Sequence, residues 1–464
     1  MKIILIPGNT DLNRGDQALV WESIRLIEDA CEDADITLMK GDDLRQYSQT
    51  EKLGYPLIQT VLKHPGRFFN KRKHVRYSVF DIAVMGLVAV FDFFLSSALL
   101  VRCRFVNYLA QRFFPKNSRE TLAKFRNCDA VVVKGGGFIH SYGAITDAYQ
   151  IYYLLFYMLL AIRYGKKLLI LPNSIGPLKN GIARRLAIYV MNHADYVSVR
   201  ESVSNDYLLS MKSLHSHIYH HADLGFFLNA SAGFDAIDYL KNHGVDTSKQ
   251  MVGITLRPYR FPGDANPEEK YRNYIDSVVA LVQKLLEKRY QIILFSHTLG
   301  PGAHENDALA LEELSAILDE RNLPYKFIED VALDCRQVMS IYSHFTFLVG
   351  TRFHSVIFAQ NSFVPTIAIS YGGNKGVGIM KDAGLDDYSI PMGEISSERL
   401  VSAFERLETD RNEVIEQLRQ HRNELENDRD IMVNEVKKSV NRGEGKLIRI
   451  PYVPDTNIGY LKAA

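Results

Sequence analysis

Cysteine is scarce in this chain of 464 residues. The four present, Cys31, Cys103, Cys128 and Cys335, are far apart and form no C-x-x-C pair. They offer neither a zinc site nor a disulfide framework and suit a reducing cytoplasm. An excess of charge of either sign is lacking too. Lys and Arg total 55 against 54 Asp and Glu, a net charge of +1. No broad field draws in nucleic acid or polyanions, so none is expected as a partner and any anion site must be local. Nucleotide fingerprints are missing: Gly135-Gly136-Gly137 does not continue as G-x-G-x-x-G, and G-x-x-x-x-G-K-[ST] does not occur. NAD and ATP sites are therefore disfavoured. The opening apolar run, Ile3 to Pro7, is too brief for a signal peptide and reads as a first β-strand. There is no internal repeat and no low-complexity tract.

One long apolar stretch is present, Ser78 to Val101, but Asp81 and Asp92 interrupt it, so it does not read as transmembrane. Lys71, Arg72, Lys73 and Arg76 precede it, and Arg102 and Arg104 follow. This pattern fits a helix lying on a membrane face, making peripheral contact through 78–101. It fits equally a helical insertion packed on the body or on the partner of a homo-oligomer.

Elsewhere short apolar runs alternate with segments of helical period, the mark of an α/β chain with parallel sheets. Strands are expected at Lys2 to Pro7, Ile36 to Lys40, Ala130 to Lys134, Lys167 to Pro172 and Tyr196 to Arg200. After a connector at Ser231 to Lys249, a second series follows at Met251 to Arg257, Gln291 to Ser296, Phe345 to Gly350 and Pro365 to Ser370. The reading is two Rossmann-like, doubly wound domains facing a cleft. The first spans 1–245, on the acceptor side, with a helical insertion at about 65–125. The second spans 246–395, on the donor side; 396–464 are charge-rich terminal helices on the outside and an extended tail.

In open parallel sheets, ligands bind at the carboxyl ends of strands, where backbone N–H groups open toward solvent. Asn13, Gly15 and Asp16 follow the first strand, Gly136 and Gly137 the third, and Ser174 the fourth. Each is a candidate acceptor or loop contact. Glycine after a strand is more often a tight turn, so their joint placement carries the signal. Asp33-Ala34-Asp35 and the pair His220-His221 resemble metal motifs, but they read as solvated surface and a strand end; no metal is assigned.

The densest signal is Gly350-Thr351-Arg352-Phe353-His354-Ser355 after the strand ending at Val349. At a helix start, Arg352 and His354 suit a phosphate or carboxylate, unless Arg352 pairs with an acid and His354 belongs to the core. Lys375 follows the next strand. Arg200 ends a strand of the first half, facing the cleft, with Ser202 as N-cap of the next helix.

These residues, with Ser174-Ile175-Gly176-Pro177, Ile254-Thr255-Leu256-Arg257 and Lys375-Gly376-Val377-Gly378-Ile379-Met380, resemble the polysaccharide pyruvyl transferases, especially the colanic-acid-type members, nearly end to end. The resemblance implies a fold like that of two-domain glycosyltransferases of the B type, with phosphoenolpyruvate as co-substrate and neither metal nor other cofactor. Arg200, His354 and Lys375 match the residues that hold the donor, with His354 as general acid. Arg352 is added as a donor contact from its placement. Phe353 replaces a usual leucine, and His140 and Ser141 stand where relatives often carry an acid or amide.

The implied reaction forms a pyruvate ketal on a sugar of an exopolysaccharide repeat unit, lipid-linked, at the cytoplasmic face of the membrane. His354 would start near pKa ~6.5, be pushed down by Arg352 and raised by a bound phosphate dianion. Asp16 is the candidate base, or merely the N-cap of its helix. Two rivals stand beside this. One is a glycosyltransferase of the same architecture using a nucleotide sugar, with Glu305 after Gly300-Pro301-Gly302 meeting its ribose. The other is a scaffold docked at the membrane through 78–101.

Overall fold

The computed structural model describes residues 1–8, 10–41, 48–69, 78–262, 264–302, 305–371 and 375–441. The first half forms one parallel sheet from β1 (Lys2–Ile6), β2 (Asp35–Met39), β3 (Leu57–Ile58), β4 (Ala130–Val133), β5 (Gly136–Ser141), β6 (Lys167–Leu178), β7 (Tyr196–Val199) and β8 (Tyr219–His220). The strands lie in the order β3-β2-β1-β4-β6-β7-β8, with β5 attached to β6. The second half forms a parallel sheet from β9 (Met251–Thr255), β10 (Gln291–Phe295), β11 (Lys326–Ile328), β12 (Phe347–Gly350), β13 (Thr366–Ser370) and β14 (Ser389–Pro391), in the order β11-β10-β9-β12-β13-β14.

The sequence of β1 explains its place. Ile3 and Leu5 enter the hydrophobic core on one face, Ile4 and Ile6 that on the other. Successive strand side chains point to opposite faces, so an unbroken apolar run is what a strand covered by helices on both sides requires. The core on the Ile3 side continues through the helix Arg14–Ala30 into the second sheet.

Three sequence expectations change. Residues 173–177 are not a loop: β6 runs on to Leu178, because β5 pairs with that extension through Gly136↔Asn173, Ile139↔Ile175 and Ser141↔Leu178. Gly136 and Gly137 thus open a strand rather than form a turn. The connector contains a helix, Ala236–Asn242, capped by the Asp235 side chain. Lastly, the terminal helix Arg411–Asn441 is not merely external. It buries Val414, Leu418, Leu425, Met432 and Val436 and straps the second half onto the first. His221 donates or accepts at 2.7 Å from both Asp428 and Glu435, and Arg429 meets Asp29 at 2.5 Å. The tail, 442–464, lies outside the described residues.

The insertion is helical, as expected, with Val79–Leu100, Arg104–Arg112 and Lys116–Asn127 in succession. The first of these is, among the described residues, the one helix long and apolar enough to cross a membrane by length and composition. Asp92 does not break its outer face, because the side chain turns inward to Arg67.

Candidate active site

The two halves meet along the carboxyl ends of β1 and β10. Asn13 and Thr298 form an antiparallel backbone bridge, and Leu299 N–H donates to the Leu12 carbonyl at 2.8 Å. Arg14, buried, donates to the carbonyls of Asp330 and Val331 at 3.1 Å. Asn13 is the cap of the helix Arg14–Ala30: its side chain accepts from the N–H groups of Gly15 and Asp16 at 3.1 and 3.2 Å. Capping thus falls to Asn13, and Asp16 lies in the first turn. Asp16 accepts from Asn13 Nδ2 at 2.9 Å and from Lys134 Nζ at 2.7 Å. Lys134, buried at the end of β4, is a cation that motif reading passed over.

His354 stands at the start of the helix Phe353–Asn361 and reaches this junction. A Cβ on Gly15 would lie 2.1 Å from its Nδ1, so only glycine leaves room for the ring. Nε2 points the other way, 3.8 Å from Asp223 Oδ1, buried and without a hydrogen-bond partner. The ring keeps 17% side-chain exposure. Its pKa is lowered to about 4, first by burial and then by Arg200 and Lys134, with Asp223 and Asp16 opposing. The cations that add to this lowering are Arg200 and Lys134 rather than the expected Arg352.

Arg200 does not face an open cleft. It is buried against Asp223, donates from Nε to Ser174 Oγ at 2.7 Å, and lies 5.6 Å from the Phe353 ring. Ser174 donates onward to Glu201 at 2.8 Å and is itself buried, so it supports Arg200 rather than lining an accessible surface. Asp223 is wholly buried, yet its pKa is lowered: the penalty of burial is overcome by Arg200, His354 and the Gly225 N–H. Ser202 is not a cap. Glu201 holds the N-cap position, and Ser202 donates from N and Oγ to Asp382 at 3.0 and 2.6 Å.

Arg352 also differs from expectation. It holds the N-cap position of the His354 helix and donates from Nε to Asp307 at 2.6 Å and from Nη2 to the Glu305 carbonyl at 2.8 Å. Burial still pushes Asp307 up to about 6 against the pull of Arg352. The alternative weighed from sequence, a paired arginine, describes this side chain, because a buried carboxylate needs its cation more than an open loop does. Glu305, weighed as a ribose contact, contributes its backbone carbonyl here.

Gly136 borders Asn173, whose Oδ1 is buried and unpartnered. Ser296 Oγ, His297 Nε2 and Thr298 Oγ1, after β10, and Arg257 Nε, after β9, are also buried without a partner. Those after the adjacent strands β9 and β10 stand at one sheet edge, where such atoms point to a polar ligand or water. Arg257 stacks 4.0 Å from the centre of the Tyr371 ring. Lys375 begins the helix Lys375–Asp382, which packs against the helix after Arg200 through Gly378 and Glu201; the Lys375 side chain lies outside the described residues. No group of three metal-binding side chains occurs among the described residues.

The fold is similar to solved sugar-nucleotide epimerases. A UDP complex of MnaA from S. aureus aligns with a TM-score of 0.57 at 12% identity, covering 95% of this chain and 97% of that one. A UDP-N-acetylglucosamine 2-epimerase from Listeria monocytogenes gives 0.55 at 13%, covering 96% and 97%. These likenesses show the two-domain, glycosyltransferase-B-like α/β fold. By sequence, the chain is 23% identical over 392 residues to the amylovoran biosynthesis protein AmsJ of Erwinia amylovora, covering 83% of this chain and 87% of the relative. The family model "Polysaccharide pyruvyl transferase" matches residues 13–373, a span that runs from Asn13 through Arg200 and His354 and ends short of Lys375. The chain is an enzyme belonging to the polysaccharide pyruvyl transferase family.

Proposed function

We propose that the chain transfers pyruvate from phosphoenolpyruvate to two hydroxyls of a sugar in an exopolysaccharide repeat unit, forming a ketal and releasing phosphate. The supporting observation is that His354, from the second half, sits on Gly15 of the first half and against the buried Asp223–Arg200 pair. That is an acid with an orienting carboxylate at the junction where two substrates must meet.

In this reading Asp223 faces Nε2 and stabilises the imidazolium that delivers the proton. A bound phosphate dianion raises His354 from its low value, so donor binding loads the acid. The His354 imidazolium protonates C3 of the enol phosphate, making its methyl group. C2 takes the first sugar hydroxyl, phosphate leaves with the C2–O electron pair, and the second hydroxyl closes the ketal. One hydroxyl proton replaces that lost by His354; the other leaves on phosphate. Asp16 receives the hydroxyl proton, and Lys134 and Lys375 neutralise the donor's charge, with Arg200 holding Asp223 in place. The reaction balances without a redox cofactor. A lipid-linked acceptor at the cytoplasmic face fits such chemistry.

Incubating the enzyme with phosphoenolpyruvate and depyruvylated repeat units tests this: acceptor-dependent phosphate release and a pyruvylated glycan by mass are expected. The UDP bound in one structural neighbour favours a second reading, a nucleotide-sugar glycosyltransferase. Thermal stabilisation by UDP-sugars and not by phosphoenolpyruvate would select it.

A further inference from the structure

The helix Val79–Leu100 is turned inside out. Asp81 caps its exposed start, while the polar side chains of its second half face the protein: Asp92 receives both N–H groups of Arg67 at 2.5 and 3.0 Å, and Ser96 Oγ lies 2.8 Å from Tyr152 Oη. Its outer face carries Phe80, Leu87, Phe91 and Phe94, each 61–73% exposed, and Phe113 beyond the next helix adds another exposed ring. An apolar face of this extent is not left to water. Cations border it. Arg102 is exposed just after the helix, Arg112 at the end of Arg104–Arg112, and Lys116 and Arg119 on Lys116–Asn127, where Glu120 is the acid beside Lys116.

We propose that this face docks on the surface of an anionic phospholipid bilayer, with the helix in the boundary between headgroups and acyl chains and the cations on lipid phosphates. The inward bonds of Asp92 and Ser96 tie the second half of the helix to the body, so it lies on the membrane rather than crossing it. A second copy of the chain fits this face less well, because a two-fold interface sets the same cations against one another. The bilayer supplies both the acyl chains and the opposite charge. The inference is independent of the reaction proposed above.

The full chain is sedimented with vesicles of neutral phospholipid or of neutral and anionic phospholipid mixed. Binding to the mixed vesicles, weakened by salt, is expected. The variants L87E/F91E/F94E and R112E/K116E/R119E should each lose partition on the order of a hundred-fold, with circular dichroism unchanged. Should the first variant fail to fold, Phe91→Trp in a Trp21→Phe background replaces it: its emission should shift to the blue with mixed vesicles only. A chain that stays in the supernatant with both vesicle types, or binds neutral vesicles equally, overturns the proposal. So does a dimer that L87E/F91E/F94E converts to monomer without vesicle binding.

Discussion

Gly15 and His354 touch across the boundary between the two sheets, with no space for even one methyl group between Gly15 and Nδ1. Gly15→Ala must therefore displace the imidazole. Turnover should fall about a hundred-fold, as a misplacement near 1 Å does elsewhere, while the denaturation midpoint drops modestly, by about 1–3 kcal/mol in stability. A variant with normal kinetics would separate the glycine from the site.

Asp223 is held by Arg200 and faces His354. Asp223→Asn should lower kcat more than it raises the donor KM, because it removes the partner of the imidazolium rather than a substrate contact. Arg200→Lys keeps a charge but loses the two-pronged geometry toward Asp223 and Ser174, and should show the same kcat-dominated loss. A pure KM effect in Arg200→Lys would instead mark Arg200 as a donor contact.

The buried pair of Arg352 and Asp307 predicts a stability defect. Arg352→Ala leaves Asp307 uncompensated and should cost about 3–5 kcal/mol in denaturant unfolding. Arg352→Ala/Asp307→Ala should recover part of that loss. If Arg352→Ala were fully stable and only the donor KM rose, the anion-binding role expected from sequence would stand.

His354 titrates near 4 when folded against 6.5 for the free side chain. Between these values the unfolded chain binds more protons than the folded one, so this contribution is complete above pH 6.5 and lost as pH falls toward 4. Over that window the wild type should lose roughly 2–3 kcal/mol relative to His354→Gln. In kinetics, donor binding should move the limb of kcat that declines with rising pH above the matching limb of kcat/KM. Coincident limbs would mean that the donor does not raise the acid.

Periodicity and motifs carried much of this. Every strand named from the sequence is present, since β1, β4, β9 and β12 are apolar on both faces. Of the strands that escaped, β3 and β8 with two residues each and β11 and β14 with three are too short to show a period, and the six-residue β5 opens on glycines that read as a turn. Asn13, Gly15 and His354 were marked as a site, yet the reason for Gly15 is an imidazole from 339 positions later in the chain. No local pattern encodes that. Lys134, Asp307 and His297 were missed because each stands alone in sequence and gains meaning from burial: His297, wholly buried, is driven well below its usual value by burial, then by His354 and Arg352. What the sequence could not show of Asp92 is its direction: the side chain turns inward to pair with Arg67.

Phosphate release from phosphoenolpyruvate by folded His354→Gln, with a competent glycan acceptor, tests the catalytic assignment most directly. Loss of an acid of this kind should slow turnover by about 10²–10⁴-fold with the donor still binding. Turnover within a few-fold of the wild type would contradict it.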